Sequence, residues 1–164
     1  MARPERALSG FLTRLRECMC NELRDTLAGP VCRCSIIHSE TEILDGCDCA
    51  CDDGSTGRAV IRVVGINSFA LTSAATMNPC PTGWLASLEI NVSRCVLDCT
   101  AEIPNDETLE LEALYALSDY AALKRAVVCC GKAVKFRPEM QRWRPLGPDG
   151  CCYGGALELT ARIE

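Results

Sequence analysis

Two hydrophobic rhythms alternate along the chain. Between residues 3 and 28, Leu8, Phe11, Leu12, Leu15, Cys18, Met19, Leu23 and Leu27 recur three and four apart, which places one apolar stripe on a helix. Gly29-Pro30 stops it, and Arg14, Arg16, Glu17, Glu22, Arg24 and Asp25 read as its solvated face. From Val31 to Ser39 the pattern shortens to a weak alternation around Ile36-Ile37, a short strand with His38 near its end. Residues 57 to 67 form a second strand with Ala59, Ile61 and Val63 on one face. Arg58, Val60, Arg62 and Val64 lie on the other, and Gly65 follows as a bulge candidate. Trp84 to Val96 is the clearest strand. Trp84, Ala86, Leu88, Ile90 and Val92 face a core while Ser87, Glu89, Asn91 and Ser93 face water, the pattern of an antiparallel sheet covered on one side.

A second helix is predicted from Asp106 to Cys130. Pro104-Asn105-Asp106 supplies its cap and Gly131 its end. Leu109, Ala113, Leu114, Leu117, Ala121, Leu123, Val127 and Val128 are the positions expected to cover the sheet. A last strand runs from Tyr153 to Ile163. Before it, residues 141 to 146 make an extended piece broken by Pro145, Pro148 and an Asp149-Gly150 turn. The order helix, strand, strand, strand, helix, strand predicts an α+β fold: a mostly antiparallel sheet covered on one face by two helices. One domain spanning 1–164 is expected, with loops or arms at 44–57, 68–83 and 141–155.

Composition narrows the function classes. A net charge of -5 argues against wrapping nucleic acid by neutralising phosphates, whereas it suits a channel through which DNA slips. Neither a secretion signal nor a membrane span is expected from the interrupted pattern of the first residues. A nucleophile needs a base beside it, but the chain offers only His38 and three lysines, Lys124, Lys132 and Lys135. Gly-Pro-Asp-Gly and Tyr-Gly-Gly lack the strand-loop-helix setting of a phosphate-binding loop, and Asp48, Asp52 and Asp53 lack calcium-loop spacing. The reading is a non-enzyme with no cofactor and no metal.

Fourteen cysteines admit three readings. Cys18, Cys32, Cys34, Cys95, Cys129 and Cys130 lie inside periodic segments and read most simply as small buried hydrophobes. The Cys47-Asp-Cys-Ala-Cys51 run invites zinc but lacks paired Cys-x2-Cys knuckles. Cys47, Cys49, Cys51, Cys80, Cys151 and Cys152, clustered in loops, are candidates for disulfides formed after the protein leaves a reducing cytosol. Trp143-Arg144 makes an aromatic-cationic patch that reads either as an interface anchor or as a lid on the core.

Ser118-Asp-Tyr-Ala-Ala-Leu-Lys-Arg-Ala-Val-Val-Cys-Cys130, the Trp84 strand leading to Arg94-Cys95, and Trp143-Arg-Pro-Leu-Gly-Pro-Asp-Gly-Cys-Cys-Tyr-Gly-Gly155 resemble neck and tail proteins of long-tailed actinobacterial phages. The order of elements is most similar to the tail terminator. That resemblance implies a structural virion protein, present in the host cytoplasm during assembly and then at the top of the tail. It implies a homohexameric ring that caps the tail tube, contacts the major tail tube protein and joins the head-to-tail stopper or connector. DNA would pass through the lumen unbound, and no membrane is involved. Arg58, Arg62, Phe69, Met77, Trp143, Arg144 and Tyr153 are the candidate subunit or partner contacts. The alternatives are another neck position, stopper or tail completion, and a cysteine-rich metal or redox module. The cysteine load is not a feature the resemblance requires.

Overall fold

A computed structural model describes residues 4–39, 47, 51, 55–69, 83–100, 103–131 and 137–163. Its elements are α1 (Pro4–Arg24), β1 (Arg33–His38), β2 (Arg58–Phe69), β3 (Gly83–Cys95), α2 (Asp106–Gly131), β4 (Arg137–Asp149) and β5 (Cys152–Ile163). The strands form one mixed sheet in the order β1-β2-β3-β5-β4, with β1 parallel to β2 and the remaining neighbours antiparallel. The α+β class is as the pattern predicts, but the sheet has five strands rather than four and one parallel pair.

The added strand corrects the expectation of an arm over 141–155. Pro145 and Pro148 each remove a backbone donor, which a central strand does not tolerate, but β4 lies at the sheet edge, where one side needs no ladder. Pro145 stands opposite Gly155, and the register slips between Leu146 and Asp149. The chain then reverses at Asp149-Gly150, where Gly150 takes a left-handed φ of 58°. In β2 the register shifts between Val63 and Gly65, so Val64 is the extra residue and β2 keeps its alternation on either side.

One face of the sheet carries the core. Ile36, Ile61, Ile90, Leu157 and Trp143 form a row across all five strands, flanked by rows through Ala59, Val92 and Val63, Leu88, Leu159. Phe11, Leu12, Leu15, Met19 and Leu23 of α1 and Ala122, Leu123, Ala126 and Val127 of α2 close over these rows. At the edge, the Trp143 indole lies over Gly155 in the space a Cβ would fill, and meets Tyr120 of α2 at a centroid distance of 5.2 Å. Trp143 is therefore half-buried and packed against the edge of the core.

Arg94, in line with the core face of β3, ties the layers together. Its Nε and Nη2 donate to the two oxygens of Asp119 in α2 at 3.0 and 2.8 Å. Nη1 donates to the carbonyls of Pro30 and Thr56 at 3.3 and 3.0 Å, and Nη2 also reaches the Thr26 hydroxyl at 3.4 Å. All five guanidinium donors are thus used by a side chain that is 2% exposed. Burial of the Tyr153 phenol, with the Asp119 carboxylate adding to it, pushes that hydroxyl well above its ordinary range.

The opposite face of β3 is not wet, contrary to its alternation: Glu89, Asn91 and Ser93 are buried. Glu89 is tolerated there because it is paired. It accepts from Arg62 of β2 at 2.9 Å and from Arg144 of β4 at 3.2 Å, and Arg144 lies 3.7 Å from Glu158 of β5. Across the strand order the charges run Arg62, Glu89, Glu158, Arg144, so the two glutamates that face each other on β3 and β5 are flanked by an arginine on either side.

Candidate functional site

The most informative surface is on α2. Asn105 caps the helix through its side-chain oxygen, which accepts from Thr108 N at 2.8 Å, and Asp106 and Glu107 sit in the first turn. The inward face holds Glu112, Asp119, Ala122, Leu123, Ala126 and Val127. Of the eight apolar positions expected to cover the sheet, only Leu123 and Val127 do so. Leu109, Ala113, Leu114, Leu117, Ala121 and Val128 are exposed, a correction with a clear cause. Asp119 is drawn inward by the buried Arg94, and Glu112 by Leu97 N, which donates to it at 3.0 Å. Both anchors lie on one side of the helix and set its rotation.

The leftover side is apolar. At roughly 100° per residue, Leu114, Leu117, Ala121 and Val128 fall within a narrow arc opposite the buried side. Leu117 is 58% and Leu114 53% exposed. Leu27, 67% exposed, joins them at the end of α1, where its backbone N donates to Ser118 Oγ at 3.0 Å. A helix apolar on both sides is ordinarily buried on both, so this stripe reads as a contact surface. Glu110 precedes Leu114 along the stripe, and Lys124 lies between Ala121 and Val128.

The residues singled out from sequence do not converge on one patch. Arg62 and Tyr153 are buried within the chain. Arg144 is held by Glu89 and Glu158, and Arg58 is half-buried at the start of β2, its Nε shielded from solvent with no hydrogen-bond partner among the described residues. Phe69 is the last residue of β2. Met77 lies outside the described residues, as do Cys49 and Cys80 and most of 44–57 and 68–83. His38 is exposed at the end of β1. Sequence reasoning missed Arg94 and Asp119 as determinants of this surface. The available signal was a surplus of leucines in the helix together with an arginine on the apolar face of β3.

Among the described residues, four disulfides join Cys20 to Cys34, Cys32 to Cys51, Cys47 to Cys152 and Cys99 to Cys151, with Cα–Cα separations of 6.2, 5.9, 5.7 and 5.2 Å. Cys18 and Cys95 are also disulfide-bonded. The reading of Cys18, Cys32, Cys34 and Cys95 as plain hydrophobes is corrected: each stands where a loop or neighbouring element brings a second thiol within bonding reach. Cys129 is free and exposed. Beside the Cys99–Cys151 link is a cleft of about 200 Å³ lined by Val96, Asp98, Pro104, Leu109 and Glu112, smaller than the pockets that hold drug-sized ligands. Among the described residues no group of three or more His, Cys, Asp or Glu side chains is placed to hold a metal, and no helix is long and apolar enough to cross a membrane.

No protein-family model matches the chain, and no curated protein matches it.

Proposed function

We propose that this chain is a structural protein of a long-tailed phage virion, a tail terminator whose copies form a ring that caps the tail tube and joins it to the head-to-tail connector. The observation that carries an assembly role is the outward apolar face of α2, continuous with Leu27 and set opposite a side already committed to the core. The terminator assignment rests on the likeness of the segments around Trp84–Arg94, Ser118–Cys130 and Trp143–Gly155; the opening helix, three strands, helix supports it, while two strands rather than the one expected follow α2. Arg94, Asp119 and Trp143, which lie in those segments, lock β3, α2 and β4 into a rigid unit, as a ring subunit requires. The disulfides suit a particle released into oxidising surroundings. Acidic copies around a lumen would repel passing DNA rather than grip it.

The test is the mass of the purified protein alone and with tail tubes. A ring of six 17.8 kDa chains weighs about 107 kDa, and binding to tube ends is expected. A protein that neither reaches that mass with tubes nor binds them refutes the reading. Phage lacking it should carry overlong tails; tailless heads that leak DNA would assign it to the stopper position instead.

A further inference from the structure

We infer that the outward face of α2 docks against the same face of a second copy of this chain, antiparallel and about a two-fold axis at Leu117. Charge decides both the occupant and the direction. Along the stripe, Glu110 lies on one side of the apolar centre and Lys124 on the other, and both are exposed. Neither forms an ion pair among the described residues, whereas the neighbouring Arg125 is already engaged by Glu22 of α1 at 2.8 Å.

Laid antiparallel on itself, α2 brings Glu110 of each copy to Lys124 of the other. Leu114 then meets the small Ala121 of the second copy, and Leu117 meets Leu117 on the axis. A parallel arrangement sets Glu110 against Glu110 and Lys124 against Lys124, and lays two helix dipoles side by side in the same direction, like end beside like end. The stripe is thus complementary to itself in one direction only, which is the condition for an isologous contact. Leu27, exposed and tied by its backbone N to Ser118 Oγ, lies beside this helix. α2 is 26 residues long, about 39 Å, which gives the pair enough length to seat both charge contacts at once.

The inference rests on the assembly reading only in taking this face as a contact. A two-fold contact pairs copies and cannot itself close a six-fold ring, so the two claims fail separately. The experiment places Leu117→Cys in a Cys129→Ser background with the native disulfides intact, and oxidises it mildly beside Thr13→Cys on the exposed side of α1. Leu117→Cys is expected to give a covalent dimer of two 17.8 kDa chains and Thr13→Cys none, because only a symmetric contact centred there brings residue 117 to its own counterpart. In otherwise native protein, Lys124→Glu should raise the dimer dissociation constant about tenfold, through two lost charge contacts per pair. Adding Glu110→Lys should restore it. Absence of a Leu117→Cys dimer above the Thr13→Cys level overturns the inference, as does a charge swap that fails to rescue. A 107 kDa assembly on tubes without the 117 cross-link leaves the ring and removes the two-fold contact; the cross-link without that assembly does the reverse.

Discussion

Replacing Asp119 with alanine tests the proposition that a buried ion pair sets the rotation of α2. The substitution removes two charge-assisted bonds of 3.0 and 2.8 Å and leaves the Arg94 guanidinium, 2% exposed, with only the Thr26 hydroxyl and the Pro30 and Thr56 carbonyls. Stripping one partner from a buried pair costs about 3–5 kcal/mol, against a total stability of roughly 5–15 kcal/mol for a domain. The variant should therefore lose roughly a fifth or more of its stability and melt about 10 °C lower. Urea titration followed by far-ultraviolet circular dichroism, with disulfides kept intact, measures this directly. The double variant Arg94→Met/Asp119→Leu should recover most of the loss, since no charge is left stranded. Recovery is incomplete because the Pro30 and Thr56 carbonyls lose their donors. A loss below about 1 kcal/mol for Asp119→Ala, or a double variant as unstable as the sum of the singles, would refute the reasoning.

Other parts of the fold give equally definite expectations. Gly155→Ala forces the Trp143 indole off its seat, so stability should fall by about 1–3 kcal/mol and tryptophan emission should shift red; unchanged emission contradicts the packing described. The raised ionisation of Tyr153 means the folded protein holds a proton that the unfolded chain releases near pH 10. Its contribution is fully present below that pH and is lost as pH rises above it, and Tyr153→Phe should show a flatter decline of melting temperature between pH 9 and 11. The Cys47–Cys152 link spans 105 residues and the Cys20–Cys34 link 14. On the chain-entropy account, removing the first pair costs about 4.7 kcal/mol and the second about 3, so paired alanine variants should rank in that order by urea midpoint.

Local physics made much of this protein readable from its sequence. The three-and-four spacing from Phe11 to Leu23 in α1 and the alternation through Ala86–Val92 in β3 and Leu157–Ala161 in β5 place core residues correctly, because burial against one surface selects those periods whatever the partner. Leu27, expected on the same stripe, lies beyond α1 and is exposed. The Asn105 cap and the glycine turn at 150 likewise depend only on backbone geometry within a few residues. Three features needed the tertiary structure. β4 is a strand although it holds prolines, since its place at the edge spares it the missing donors. Which cysteines pair depends on loops converging from up to 105 residues apart. The facing of α2 was beyond a pattern of leucines, because a helix apolar on both sides has no preferred rotation of its own. Arg94, buried on β3, pairs with Asp119 on the inward side of α2, which leaves Leu114 and Leu117 facing outward.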